Sequence, residues 1–511
     1  MNNYKEIIKE LLADPNKLKQ KKPFTRGVHR DFSAAYVNDV RMNETCEALL
    51  PSVVKHVVTQ EDFMRELDPN SHSVLFDDNI PSICIRTKQG GYQDIQFSKM
   101  SVPIQRIVKN KQVLHLTGHK MVFTQMDVNP TDRQEQDFIT FQQYWDLRNQ
   151  DGMKNKMVDT QLSLGDVGLL YYFDYKGRVK SRILSYADGY VLCPHNDDNG
   201  DRVLESVYYI KDGVEYIDSY DDTHMYRYKK IVTGDSKNQT DWILETPIKH
   251  GFEEIPLITK RGDVAWNDVQ DIITSYEILY NVFNAIQRRH GWGLLYVKGK
   301  FKDGAQKIAG SVILNDTSIE GKGDAKFLTP PSPTGTLETL QLMLDTIQLC
   351  SSTTFILPKD VKTSGDISGI AIQLTQSLDI ENALQKVIEW QNVADKMVRL
   401  FKYGLGVELV HNGIQKTAIT DFEKLNINAK FKVWKPLNEY EYNNMLIQLK
   451  GAGLISAETG IQKNTESTPS ELAKITKESE EAFLRQQEIM AQQQQTQHNN
   501  TQHGNADEGD E

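Results

Sequence analysis

Few side chains in this sequence stand at spacings that could do chemistry. His115 and His119 are four apart, the interval that would put two imidazoles on one helix face for a metal ion. Gly118 interrupts that helix and no acidic general base accompanies the pair, so they read as ordinary histidines at a helix end. Asp197-Asp198 and Asp221-Asp222 are paired carboxylates of the kind used in acid/base work. Both pairs lie beside turn-forming residues, and hairpin turns account for them. Gly321-Lys322-Gly323 lacks the upstream glycine and the following Ser or Thr of a phosphate loop. Gly404-x-Gly406 lacks a third glycine and follows a helix, which excludes a dinucleotide fingerprint. No G-x-S-x-G is present. Cys46, Cys84, Cys193 and Cys350 are far apart with no C-x-x-C pairing, and read as reduced core thiols, neither a disulfide framework nor a zinc site. The expectation is a protein that is not an enzyme and needs no cofactor and no metal.

The chain of 511 residues has room for roughly two to four domains and a sizeable core. Its 39% hydrophobic and 25% charged content suits a slightly polar soluble protein. A net charge of -11 argues against tight binding through phosphate neutralisation, though not against proximity to DNA. No apolar signal core follows MNNYKEIIKELL, and no apolar run approaches a bilayer's thickness. The expected setting is a cytoplasm or a particle.

The organising stretch runs from Trp266 to Phe401 and reads as helix, small sheet, helix, short loop, long helix. Over Asn267 to His290, Val269, Ile272, Tyr276, Leu279, Phe283 and Ile286 recur at intervals of three and four, one stripe of a 3.6-period helix. Arg288-Arg289-His290-Gly291 is a good helix ending. At roughly 1.5 Å per residue such a helix is about 36 Å long. A second helix is expected over Gly335 to Thr354, with Ser332-Pro333 at its start, and a third over Ser368 to Phe401. Strands WGLLYVKG, SVILND and AKFLTP lie in the insert between the first two. The stripes are shallow, which suggests packing on neighbouring copies.

Elsewhere a short helix is expected over Tyr4–Leu12, closed by Asp14-Pro15 and followed by a basic connector. Helical patterning returns from Cys46 to Leu67, short strands occupy Asp78 to Gly91, and SVPIQRIVKNKQVLHLTG is a helix stopped by Gly118 before the strand KMVFTQ. Gln134 to Leu164 is helical up to Gly165. An antiparallel meander follows, with turns at Asp174–Gly177, Asp197–Gly200 and Asp212-Gly213. Beyond Gly404–Gly406 a few strands are expected, then a helix over Glu439–Gly451 and a charged helix over Ser467–Arg485. The tail of residues 486–511, rich in Gln, Asn and His, lacks the apolar residues for a core and is expected to be disordered.

Several segments, in order, resemble the portal proteins of tailed bacteriophages, of the long-tailed-phage type. SVPIQRIVKNKQVLHLTGHKMVF, GDVGLLYYFDYKGRVKSRILSYADGYVL, HGFEEIPLITKRGD with Pro256, TSGDISGIAIQ and GAGLISAETGIQKNTESTPSELAKITKESEE carry the resemblance over about residues 100–485. The resemblance implies an α+β, portal-type subunit in a dodecameric ring at one capsid vertex. Its parts would be an α/β wing (1–260), a first stem helix (261–290), a small α/β clip (291–331), a second stem helix (332–357), a tunnel loop (358–367), a long bridging helix with the rest of the wing (368–435) and a helical crown (436–485).

On that resemblance double-stranded DNA would pass through the ring without sequence specificity, pumped by the terminase ATPase. Lys359, Asp360, Lys362, Ser364, Gly365 and Asp366 would line the narrowest part of the channel, with Gly365 and Gly369 permitting movement. Trp292, Lys298, Lys300, Lys302 and Lys307 would meet the large terminase subunit and later the head-tail adaptor. Capsid and scaffolding proteins would be further partners, and the location the virion, with the host cytoplasm during assembly. The competing readings are another structural ring or scaffold component of a virion and, from a different class, a nucleic-acid-processing enzyme. The first is disfavoured by length if an adaptor is meant, the second by the missing phosphate loop and missing carboxylate or histidine cluster.

Overall fold

The structure is a computed structural model. It describes residues 2–28, 54–77, 83–86, 92–95, 98–127, 130–232, 240–290, 294–298, 313–316, 324–328, 334–355, 374–411, 422, 424–435 and 439–455, with short pieces between 477 and 490. The chain forms two compact units, one of residues 1–358 and 375–434, the other of 359–374 and 435–511.

In the first unit α1 (Asn2–Ala13) is followed at once by α2 (Pro15–Leu18). The Asp14 carboxylate accepts the Asn16 N–H at 3.0 Å and Pro15 presets the first helical φ. Asp14-Pro15 therefore opens a second helix as well as closing the first. β1 (Phe24–Val28) pairs antiparallel with β2 (Val54–Val58). The end of the basic connector and part of the valine cluster expected to be helical are thus strands, as suits β-branched side chains. Helix resumes only at α3 (Gln60–Leu67), started by a reciprocal Thr59–Asp62 capping box. β3 (Ile83–Arg86) and β4 (Tyr92–Ile95) pair antiparallel. α4 (Ile104–Thr117) stops at Gly118 and leads into β5 (Val122–Gln125), as the pattern predicts.

α5 (Asp132–Leu147) and α6 (Gln150–Leu164) divide what reads in sequence as one helical stretch. Between them Asn149 takes a φ of 49°, a left-handed conformation that Asn tolerates. Gly165 ends α6 at φ 79°, and a Cβ there would lie 2.6 Å from Phe24 Cε1. Backbone and packing both require glycine.

The meander comprises β6 (Asp166–Phe173), β7 (Val179–Leu184), β8 (Tyr190–Asn196), β9 (Arg202–Lys211), β10 (Val214–Tyr220), β11 (His224–Val232), β12 (Thr240–Leu244), β13 (Ile248–Lys249) and β14 (Leu257–Arg261). They make a six-stranded sheet, β12-β11-β10-β9-β8 with β13 beside β11, and a three-stranded sheet, β14-β6-β7, both antiparallel. Leu170, Leu184, Leu192, Val207 and Leu257 form a core between these sheets, and α1 and α2 cover the other face of the larger one around Leu18, Ile217 and Tyr228. The paired aspartates make turns: Asp197 Oδ1 accepts the Asn199 and Asp201 N–H groups, and Asp221 Oδ1 those of Thr223 and His224.

Next come α7 (Gln270–His290), β15 (Leu294–Lys298), β16 (Ile313–Asp316), β17 (Asp324–Leu328), α8 (Thr334–Cys350) and α9 (Ser377–His411). This is the expected helix, three-strand insert, helix, long helix. β15 is central in its sheet, parallel to β16 and antiparallel to β17. α9 does not end near Phe401 but passes through Gly404 and Gly406 to His411. A Cβ on Gly404 would lie 2.6 Å from Val179 Cγ2, so that glycine lets the helix approach β7 and does not stop it. β18 (Ile427–Lys430) returns to pair with β5. The largest core gathers α4, α5, α6 and α9, with Phe401 edge-on to Trp145 at 5.3 Å and to Phe141 at 5.8 Å.

In the second unit α10 (Glu439–Gly451) has the expected bounds. The described residues between 477 and 490 are helical, Gln486, Gln487, Ile489 and Met490 among them, beyond the expected stop at Arg485. Among the described residues no helix is long and apolar enough to cross a membrane. Cys193 is buried, its thiol pushed up to about 11 by burial. Cys350 is exposed and so not the core thiol expected, because Leu340 and Ile347 occupy the inner face of α8.

Candidate functional site

α7 is anchored at its start by buried polar side chains. Trp266 Nε1 donates to Glu66 Oε2 at 2.7 Å, and Arg26 grips the same carboxylate with two N–H groups at 2.6 and 3.0 Å. Such a fork fixes orientation as well as charge. About two turns into the helix, Glu277 Oε1 accepts from His72 Nδ1 at 2.7 Å and from the Val102 N–H at 2.6 Å. Asn281 exchanges two hydrogen bonds of 2.7 Å with the backbone of Met100. Glu277 and Asn281 are four apart and hence on one face, which tethers α7 to the segment ahead of α4. A buried carboxylate is tolerable there because its Oε1 accepts two hydrogen bonds.

The first part of the apolar stripe of α7 packs within the chain, Ile272, Leu279 and Phe283 are half-buried, and Ile286 at its end is 45% exposed. Val269, Ile273 and Tyr276 are buried with Leu340 and Ile347 of α8 and with Ile104 and Val108 of α4. Exposed apolar residues also lie on α8 and α9. Leu342 and Leu349, seven apart on one face of α8, are 66% and 65% exposed, and Glu338 and Asp345 share that face. On α9, Leu384 and Ile388 are four apart, and Ile388 is 75% exposed.

The exit from α8 is a polar joint. Ser352 takes a φ of 48°, with its N–H to Leu349 O and the Thr353 N–H to Gln348 O, a Schellman ending made with serine where glycine is usual. Thr354, next in line, has both backbone polar groups held by charged side chains. Its N–H donates to the buried Asp379 carboxylate of α9, at 3.1 and 3.2 Å to the two oxygens, and its carbonyl accepts from Lys111 Nζ of α4. Gln112 Nε2 donates to Ser351 O at 3.1 Å and lies 3.3 Å from Thr353 Oγ1, while Gln112 Oε1 accepts from Lys386 Nζ of α9 at 2.5 Å. Burial pushes the Lys386 ammonium down to about 8, although Glu389, Asp263 and Asp268 pull it up.

Of the residues expected to line the channel or dock partners, only Lys298 lies among the described residues. It ends β15, opposite Asp316 of β16 and Asp324 of β17 by backbone register, so acidic positions flank it on both sides. Trp292, Lys300, Lys302, Lys307, Lys359, Asp360, Lys362, Ser364, Gly365 and Asp366 lie outside the described residues, as do Cys46 and Gly369. His115 spends Nδ1 on Trp434 O at 3.0 Å, and His119 O accepts from Lys154 Nζ at 2.7 Å, so the pair ties down the chain around α4. Sequence reasoning missed Lys111, Gln112, Asp379 and Lys386. An acidic residue in the first turn of α9 was the one local signal.

A helix pair, a three-strand insert between its members, and a long third helix starting at the same joint form a frame. Against known families, the one described as "Phage portal protein, SPP1 Gp6-like" matches residues 95–483. The chain belongs to that family. The portal family is structural and non-enzymatic. Two solved structures are similar at low levels. One, described as "Neck of empty GTA particle computed with C6 symmetry", is 13% identical with a TM-score of 0.37, covering 70% of this chain and 89% of its own. The other, "Virion of native gene transfer agent (GTA) particle", is 12% identical with a TM-score of 0.30, covering 69% and 87%. No curated protein matches the chain.

Proposed function

We propose that the chain is the portal subunit of a phage-like particle. Copies assemble as a dodecameric ring at one capsid vertex, DNA enters and leaves through the central channel, and terminase and then the head-tail adaptor dock at its end. The family match over residues 95–483 carries this reading. On it α7 and α8 are the stem, 291–331 the clip, 358–367 the tunnel loop, α9 the bridging helix and 436–485 the crown.

The energetics of the exposed faces support assembly. Burying a leucine or isoleucine contributes about 1.5–3 kcal/mol, and Leu342, Leu349 and Ile388 forgo most of that in a lone chain. A neighbouring copy would recover it. The net charge of -11 suits a conduit, since an acidic wall lets phosphates slide where basic rings would grip them. ATP hydrolysis would come from the terminase.

A packaging reaction tests the reading. Empty capsids assembled with this chain, supplied with terminase, ATP and linear duplex, should protect DNA from nuclease. Capsids assembled without it should protect none. Equal protection in both would refute the proposal.

A further inference from the structure

Beside the anchors of α7 lies a pocket of about 420 Å³, between β2, α3, residues 71–73, α4 and the start of α7. Val57, Arg65 and Asp271 line it and are exposed, so it opens to solvent. Its inner side holds His72, 4% exposed, and Gln105, 1% exposed. Each carries a buried polar atom, His72 Nε2 and Gln105 Oε1, with no hydrogen-bond partner among the described residues. The bonds around them make both atoms acceptors. His72 Nδ1 faces Glu277 Oε1, which also takes the Val102 N–H and so is itself an acceptor. Nδ1 therefore carries the proton, and Nε2 of the neutral ring offers a lone pair. Gln105 Nε2 donates to Gln270 Oε1 at 3.1 Å. Gln270 Nε2 in turn donates to Thr274 Oγ1 at 3.2 Å, whose own proton goes to Gln270 O. That sequence of donors leaves Gln105 Oε1 as the unused acceptor.

The charge around the pocket has the same sense. Asp62, Glu66, Asp271 and Glu277 line it against two cations, Arg26 and Arg65. Arg26 spends two N–H groups on Glu66, and Arg65 lies 3.5 Å from Asp62, which leaves Asp271 and Glu277 of α7 in excess. Two buried unused acceptors and surplus carboxylates call for positive charge and N–H donors. Val57 and Val58 supply an apolar wall for a methylene chain. Among the described residues no three His, Cys, Asp or Glu side chains are grouped to hold a metal ion, which favours an organic cation.

We propose that this pocket binds a small organic ammonium ion, an alkyl diamine or a longer linear amine. One ammonium group sits among the surplus carboxylates and the two unused acceptors, and its methylene chain lies along the valines. Bound there, the amine cross-links α3 to α7 and stiffens the start of α7. The inference does not rest on the portal reading.

Titration calorimetry of the full chain with putrescine and with spermidine, at constant ionic strength, tests it. The wild type should bind saturably, at one site per chain, and magnesium chloride should not displace the amine. Gln105→Leu removes a buried acceptor and should weaken binding roughly tenfold or more. Asp271→Asn, at the exposed rim, should fold normally and weaken binding roughly threefold; it decides the matter if Gln105→Leu does not fold. A wild type without saturable binding overturns the inference. So does undiminished binding by either folded variant, because the amine would then sit elsewhere. Displacement by magnesium overturns it as well, since the pocket would then take any cation.

Discussion

Lys386 is the residue whose environment makes the sharpest demand on pH. Its ordinary value is 10.5 and burial brings it to about 8 in the folded chain. Between those values the unfolded chain binds more protons than the folded one, so stability rises as pH rises through that window. Below about pH 8 the folded chain carries a buried charge and that gain is absent. Lys386→Met should remove this contribution. Denaturant midpoints at about pH 7.5 and about pH 9.5 should rise more in the wild type than in the variant. Equal pH dependence would mean that Lys386 titrates normally. The joint that Lys386 serves was illegible in the sequence for a physical reason. Asp379 meets Thr354, and Gln112 meets Ser351, across distances in the chain that leave no periodic trace. The turn roles of Asp197 and Asp221, by contrast, were legible, because each bonds residues two to four positions away.

Among the elements, α9 shows where local rules mislead. Glycine near the end of an apolar pattern usually marks a C-cap, yet Gly404 sits within a helix that runs on to His411. Its role is to bring α9 against β7, since a Cβ would meet Val179 at 2.6 Å and Phe252 at 3.2 Å. Gly404→Ala should therefore destabilise by about 1–3 kcal/mol, the usual cost of overpacking, despite alanine's better helix propensity. A thermal midpoint at or above that of the wild type would contradict this. The arrangement of helix, insert, helix and long helix was readable from spacing alone, because each helix keeps an inner stripe such as Val269–Tyr276 or Leu340–Ile347. The destination of those stripes was not readable. A stripe says that something is covered, and only the fold says that α7 and α8 cover each other.

For the whole molecule, the surface left apolar after that packing is what the proposed ring would cover. Leu342 and Leu349 share a face of α8 with Glu338 and Asp345. Introducing charge there should cost little in a lone chain, since exposed substitutions usually stay within about 0.5 kcal/mol. In a ring the same charge would be buried unpaired at an interface, at a cost of several kcal/mol per contact. Leu342→Asp combined with Leu349→Asp should accordingly yield a folded chain that does not assemble. The central claim is that this chain is a ring-forming channel, and direct imaging of the purified protein in negative stain tests it most directly. The account predicts dodecameric rings with a central hole for the wild type, and single subunits for the Leu342→Asp, Leu349→Asp variant. A wild type seen only as monomers or as asymmetric particles would contradict it.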